Sequence, residues 1–119
     1  MTAKVPTALV VDDDAALRLL SRVNLELEGF VVLEASTVVE ADASVAAVRP
    51  DVVLLDVHLG SESSLGLLER LCALGIPVVL VTGSVEVDEY RNRADAVLPK
   101  PFAPQALVEL ARRLAKVDS

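Results

Sequence analysis

The sequence predicts an α/β fold in which one parallel β-sheet is covered by helices on both faces. Short apolar runs rich in β-branched residues alternate along the chain with segments of helical character. Runs that are apolar throughout suit strands buried on both sides, which is the usual situation in parallel sheets. Four of these runs also end abruptly on polar residues. A β-α unit repeated five times is therefore the predicted architecture.

The run Val52–Leu55 is the most informative, because it ends on Asp56. In open α/β sheets, ligands bind outside the carboxyl ends of the strands, so Asp56 becomes the first candidate site residue. Three other strand-like runs end in the same way. Ala8–Val11 is followed by Asp12, Asp13 and Asp14, Val78–Val81 by Thr82, Gly83 and Ser84, and Ala96–Leu98 by Pro99 and Lys100.

The segments between the strands carry helix start and stop signals. Asp14 and Thr37 are predicted N-caps, and Gly29 and Gly75 are predicted helix ends. The predicted elements are a strand at Ala8–Val11, a helix at Ala15–Glu28, a strand at Phe30–Ala35, a helix at Val38–Ala47, a strand at Val52–Leu55, a loop at Leu59–Ser63, a helix at Ser64–Ala73, a strand at Val78–Val81, a short helix at Val87–Ala94, a strand at Ala96–Leu98 and a helix at Pro104–Lys116.

Two helices carry predictions about which side chains face the core. In the helix that begins near Ser64, Leu65, Leu68, Leu71 and Cys72 are expected to point inward. In the first helix, Leu19 and Val23 are expected to point away from the core.

Length and composition restrict the class of protein. The 119 residues suit a single domain, which we expect to span 1–119. A net charge of -7 and only three aromatic residues disfavour nucleic-acid binding. No apolar run is long enough for a membrane span, and no leader is recognisable at the start. Cys72 has no second cysteine to pair with. We therefore expect a cytoplasmic protein.

The predicted sheet edge has the parts needed for phosphoryl transfer. Asp12, Asp13 and Asp56 would repel one another unless a proton or a cation intervened, and oxygen ligands favour Mg²⁺, with Mn²⁺ as an alternative. Lys100 and Thr82 could hold phosphoryl oxygens while a carboxylate accepts the group. The simpler interpretation is that Asp13 and Asp14 are helix caps and Lys100 a surface charge. That interpretation accounts for each residue singly but not for their convergence after buried strands.

The sequence resembles the receiver domain of two-component response regulators over essentially its whole length. The segments that carry the resemblance are Val10–Asp13, Leu54–Leu59, Val81–Thr82 and Lys100–Phe102, in that order. The resemblance implies a (βα)5 flavodoxin-like fold, a doubly wound parallel sheet with strand order 2-1-3-4-5. It also implies a non-enzymatic signalling domain that accepts a phosphoryl group from a histidine kinase or a histidine phosphotransfer protein and then acts on a downstream partner.

The resemblance assigns a role to each site residue. Asp56 would be the phosphoacceptor, and the bond Lys100–Pro101 would be cis. The implied Mg²⁺ site consists of Asp13, Asp56 and the backbone carbonyl of His58, with Asp12 acting mostly through water. The implied phosphoryl-binding residues are Thr82, Gly83 and Lys100, and those that tune hydrolysis are His58 and Ser84.

Departures from the family pattern concern the output of the switch. Val97 stands where receivers usually have an aromatic ring that moves together with the residue at Thr82, and Ser64 stands where glycine is common. The segment from Thr82 to Lys100 is also about one helical turn shorter than is typical of receivers. An alternative hypothesis is therefore a phosphate sink or adaptor with a muted conformational switch. A small aspartyl-phosphate phosphatase is disfavoured, because such enzymes usually have a second acid at the position of His58.

Overall fold

The computed structural model describes residues 5–83 and 92–116. Its strands are β1 (Thr7–Val11), β2 (Val31–Ala35), β3 (Val52–Asp56), β4 (His58–Leu59), β5 (Glu62–Ser63), β6 (Val78–Thr82) and β7 (Ala96–Pro99). Its helices are α1 (Ala15–Leu27), α2 (Val38–Ala47), α3 (Leu65–Ala73) and α4 (Pro104–Leu114). Ser84 and most of the short helix predicted at Val87–Ala94, including its Tyr90, lie outside the described residues. The described end of that segment, 92–93, is a turn.

Five of the strands form one parallel sheet in the order β2-β1-β3-β6-β7. Counted within this sheet, the order is 2-1-3-4-5, which confirms the predicted topology. Val11 at the end of β1 pairs with Ala35 of β2 and Leu55 of β3, and Asp56 pairs with Val81. Thr82 pairs with Pro99 in the same way. The carboxyl ends of the strands are thus aligned along one edge.

The central strands bury side chains on both faces of the sheet, as the apolar runs predict. Alternate residues enter two separate clusters, because successive side chains of a strand point to opposite faces. Leu9, Val53 and Leu55 pack on one face with residues of α2 and α3, whereas Val10 and Leu54 pack on the other face with residues of α1 and α4. Each fully buried leucine or valine contributes about 1.5–3 kcal/mol to stability, and these two layers together hold the three central strands in place.

The predicted N-caps hold the starts of α1 and α2 at the carboxyl ends of the strands. The Asp14 carboxylate accepts hydrogen bonds from the Ala16 and Leu17 amides at 2.9 and 3.3 Å, and Thr37 accepts one from the Glu40 amide at 3.1 Å. Such a cap stabilises a helix by about 1 kcal/mol. Gly29 follows α1 with a φ of +90°, a conformation that favours glycine.

The predicted loop at Leu59–Ser63 is wrong in one respect, because it contains a small antiparallel hairpin. His58 pairs with Ser63 and Leu59 with Glu62, and the turn between them uses Gly60 at a φ of +64°. Glycine tolerates this left-handed conformation without the steric cost that a side chain would bring.

The prediction that Cys72 points inward is also wrong. Leu67, Leu68 and Leu71 form the buried stripe of α3, whereas Cys72 is exposed and its thiol donates a hydrogen bond to the Arg93 carbonyl at 2.9 Å. At about 100° per residue, Cys72 lies roughly 90° from the centre of that stripe, which places it at the solvent boundary. Leu19 and Val23 of α1 are exposed as predicted.

Candidate functional site

Three carboxylates meet where β1 and β3 end. Asp12 and Asp13 directly follow β1, and Asp56 is the last residue of β3. One carboxylate oxygen from each lies within 4.8 Å of the other two, a spacing that could hold a metal ion. Asp12 and Asp56 are buried and Asp13 is exposed. The structure therefore brings together the three acids that the strand ends predict.

Lys100 supplies the positive charge next to this acidic cluster. Its Nζ atom lies 3.4 Å from Asp56 Oδ2 and 3.7 Å from Asp12 Oδ2. The backbone amide of Lys100 donates to the Thr82 carbonyl at 2.8 Å, which joins the ends of β6 and β7. The Lys100–Pro101 bond is cis, as the resemblance implies. Lys100 is therefore part of the cluster and not an isolated surface charge.

Burial and the neighbouring carboxylates raise the pKa of Asp12. Its pKa is raised from 3.8 to about 6, chiefly because burial disfavours the charged form. The Asp14 amide donates to Asp12 Oδ1 at 2.9 Å and opposes that shift, while Asp56 and Asp13 add to it by repulsion. Lys100 offsets part of the repulsion. At Asp12, burial and repulsion together outweigh the hydrogen bond from Asp14 and the attraction to Lys100.

The β4–β5 hairpin holds two of the acids through backbone amides. The Gly60 amide donates to Asp13 Oδ2 at 2.8 Å, and the His58 amide lies 3.4 Å from Asp56 Oδ1. Asp14, not Asp13, caps α1. The alternative interpretation of Asp13 as a cap is therefore wrong, and its carboxylate faces the loop beyond β3.

The residues expected to bind phosphoryl oxygens lie at the ends of β6 and β7. Thr82 is buried at the last position of β6, and Gly83 follows it. A Cβ atom at residue 83 would lie 3.8 Å from Lys100 Cβ, so the two residues border the same space. The His58 side chain is exposed on the hairpin, and Val97 is partly buried against the core.

Two residues near the site were not singled out as site residues by the sequence analysis. The Ser64 hydroxyl is buried next to the carbonyls of Asp56 and Val57, at 2.7 and 2.8 Å. The Arg18 guanidinium donates to the Asp12 carbonyl at 2.7 Å. A serine before a helix resembles an ordinary cap, and an arginine in an exposed helix resembles a solvated charge. Only the tertiary structure brings them to the strand ends.

The sequence matches the response regulator receiver domain over residues 8–112. The chain belongs to this family. Solved structures of receiver domains have the same fold. A CheY-like receiver domain protein from Methanospirillum hungatei is 28% identical, with a TM-score of 0.87 and 95% of each chain covered. The receiver domain of NtrX from Brucella abortus is also 28% identical, with a TM-score of 0.84 over 93% of this chain and 99% of that one.

Curated relatives include regulators of transcription. The phosphate regulon transcriptional regulatory protein PhoB of Pseudomonas aeruginosa is 36% identical over 110 residues, which covers 86% of this chain and 48% of PhoB. The response regulator MprA of Mycobacterium ulcerans is 36% identical over 114 residues, 91% of this chain and 49% of MprA. This receiver thus spans about half the length of these relatives. The expectation that this chain itself does not bind nucleic acid stays a prediction.

Receiver domains of response regulators act in two-component signal transduction. In the part of the chain that the structure describes, no helix is long and apolar enough to cross a membrane.

Proposed function

We propose that this receiver accepts a phosphoryl group from a phosphohistidine onto Asp56, in a reaction that depends on Mg²⁺ or Mn²⁺. The observation that carries the proposal is the convergence of four charged groups at one sheet edge. The carboxylates of Asp12, Asp13 and Asp56 lie within 4.8 Å of one another, and Lys100 Nζ lies 3.4 Å from Asp56. In this reaction an Asp56 oxygen forms a bond to phosphorus as the phosphorus–nitrogen bond breaks, and the imidazole nitrogen keeps the electron pair.

The acidic cluster fits a hard divalent cation, because its donors are oxygens and its charges repel without one. Asp13, Asp56 and the His58 carbonyl would hold the ion directly, and Asp12 would act mostly through water. When bound, the ion would neutralise the charge that builds up on the phosphoryl oxygens. A bound ion would in turn lower the pKa of Asp12, because a nearby cation favours the charged form of the carboxylate.

The transferred group would be held from the side of β6 and β7. Lys100 would pair with one phosphoryl oxygen in place of its present contact with Asp56, and Thr82 and Gly83 would donate to another. His58 and Ser84 would set the rate at which water reaches the acyl phosphate. The exposure of the His58 side chain supports this role for His58.

The phosphodonor would dock on α1, as a histidine kinase or a histidine phosphotransfer protein. Leu19 and Val23 lie one turn apart on this helix and are 59% and 45% exposed, and Leu27 continues the same line. An exposed apolar row on the helix that begins next to the acidic cluster suits a partner helix. We further propose that residues 1–119 form a single receiver domain and act in the cytoplasm on a downstream protein.

A second candidate function is a phosphate sink or adaptor that changes shape little when phosphorylated. Val97 favours this candidate, because its side chain is aliphatic and packs partly into the core cluster of α2 and α3. A valine has no ring that could rotate between an exposed and a buried position. Phosphorylation would then alter the site without reshaping the surface around β7.

Intact-mass analysis after incubation with acetyl phosphate and Mg²⁺ tests the acceptor. We expect one added phosphate on the wild type and none on Asp56→Asn. Asp42→Asn is the matched control, since Asp42 lies on α2 and pairs with Arg70 away from the site. Undiminished labelling of Asp56→Asn would contradict the proposal. Sustained turnover of p-nitrophenyl phosphate would instead favour a phosphatase.

A further inference from the structure

A buried hydroxyl lies beneath the proposed acceptor. Ser64 has 0% exposure, and its Oγ atom lies 2.7 Å from the Asp56 carbonyl oxygen and 2.8 Å from the Val57 carbonyl oxygen. The single hydroxyl proton is shared between these two acceptors. The Ser64 amide also donates to the Val57 carbonyl at 3.2 Å. Ser64 thus joins the start of α3 to the end of β3 through three contacts.

These contacts are not those of a helix cap. The Ser64 side chain forms no capping hydrogen bond with α3, although the residue occupies the N-cap position. A serine at that position ordinarily accepts a hydrogen bond from the helix amides. Here the hydroxyl points back to the strand and accepts no hydrogen bond from the helix amides. A role in α3 alone therefore does not explain why a polar group is buried at this point.

A rigid peptide unit links Ser64 to the Asp56 carboxylate. The Val57 carbonyl and the His58 amide belong to the same planar peptide group, so fixing the carbonyl fixes the direction of the amide. The His58 amide lies 3.4 Å from Asp56 Oδ1. The second contact of the hydroxyl, with the Asp56 carbonyl, restrains the backbone of Asp56 itself. Ser64 thereby orients the acceptor from both sides of the Asp56–Val57 bond.

We propose that Ser64 is a positioning residue. It holds the Asp56 carboxylate and the adjoining Val57–His58 peptide in the geometry needed to bind a divalent cation and to accept a phosphoryl group. This inference rests on the proposed function of Asp56. Ser64 touches neither the cation nor the phosphoryl group. Its effect passes through the backbone of residues 56–58.

The test compares Ser64→Ala with Ser21→Ala. Ser21 is also a buried serine, but it lies on α1. Each variant is assayed for thermal unfolding, for Mg²⁺ affinity by NMR titration of backbone amides, and for the rate of labelling by acetyl phosphate at saturating Mg²⁺. We expect Ser64→Ala to weaken Mg²⁺ binding and to slow labelling by about fivefold each, the size expected for the loss of one buried hydrogen bond. The amide resonance of His58 should also shift in the metal-free protein.

Mg²⁺ affinity decides the inference separately from the proposed function. Unchanged affinity and an unchanged labelling rate in a folded Ser64→Ala protein would overturn it, whatever the loss of thermal stability. Equal losses in Ser21→Ala would overturn it too, because they would reflect general loosening. If the alanine variant fails to fold, Ser64→Cys keeps nearly the same volume with a weaker donor and should give the same loss of affinity. If Asp56→Asn is labelled as fast as the wild type, the proposed function is contradicted. The Mg²⁺ titration would still test the positioning role of Ser64.

Discussion

Replacing Asp12 with asparagine should stabilise the metal-free protein at neutral pH. The pKa of Asp12 is raised from 3.8 to about 6 in the folded state, so the folded protein binds a proton more tightly than the unfolded chain does. The stability associated with that proton is fully present below about pH 3.8 and is lost as the pH rises to about 6. Asparagine removes the penalty, because it carries no charge and can still accept the hydrogen bond from the Asp14 amide.

The magnitude follows from the size of the pKa shift. A difference between 3.8 and about 6 corresponds to about 3 kcal/mol, at roughly 1.4 kcal/mol for each unit. This value already includes the attraction of the Asp12 carboxylate to Lys100, whose Nζ lies 3.7 Å from Asp12 Oδ2. Asp13 of the same cluster is exposed, so solvent screens part of the repulsion between the carboxylates. Allowing for this screening, we expect Asp12→Asn to be about 1–2 kcal/mol more stable than the wild type at pH 7.5.

Urea unfolding in EDTA, monitored by circular dichroism at pH 4 and pH 7.5, measures this difference. Asp14→Asn is the matched control, because asparagine caps a helix as well as aspartate does, and its stability should change little at either pH. The advantage of Asp12→Asn should be present at pH 7.5 and absent at pH 4. A less stable variant at pH 7.5, or an advantage of equal size at both pH values, would refute the electrostatic reasoning.

The remaining predictions concern the metal, the lysine and the switch. Asp13→Ala should weaken Mg²⁺ binding at least tenfold more than Asp14→Ala, since Asp13 faces the cluster and Asp14 caps α1. Isothermal titration calorimetry measures both affinities, and equal losses would contradict this. Lys100→Met should slow labelling by acetyl phosphate by about tenfold or more, because a phosphoryl oxygen loses its charged partner, and an unchanged rate would exclude that role. Beryllofluoride, a phosphoryl mimic, should shift amide resonances strongly at the ends of β1, β3 and β6 but weakly along β7 and α4, because Val97 has no ring to rotate. Large shifts throughout β7 and α4 would show that another route carries the signal.

The strands and their shared edge could be predicted from sequence because both depend on local apolar patterning. A strand buried on both faces must be apolar at every position, and such runs are conspicuous between polar segments. The parallel arrangement then places the residues that follow the strands on one edge, so Asp12, Asp56 and Lys100 could be grouped from the sequence. The caps at Asp14 and Thr37 could also be predicted, because capping depends on the cap residue and the next few residues of the chain.

The features that sequence reasoning missed depend on contacts between distant or atypical residues. The β4–β5 hairpin has only two residues in each strand, too few for a periodic signal, and it relies on Gly60 in a left-handed conformation. Cys72 lies at the edge of the buried stripe of α3, where a small rotation of the helix determines whether a side chain is buried or exposed. Ser64 resembles a cap in sequence, and only the packing of α3 against β3 turns its hydroxyl toward the strand.

The central claim is that Asp56 carries the phosphoryl group, and chemical trapping locates that group most directly. The protein is labelled with acetyl phosphate and Mg²⁺, reduced with borohydride, digested and sequenced by mass spectrometry. Borohydride converts an aspartyl phosphate to homoserine, so the modified residue keeps a permanent mark. We predict homoserine at position 56, in the peptide that contains Leu54 and Leu55, and only when both the phosphodonor and Mg²⁺ are present. Homoserine at position 12 or 13, or its absence from position 56 in a protein that has gained a phosphate, would contradict the account.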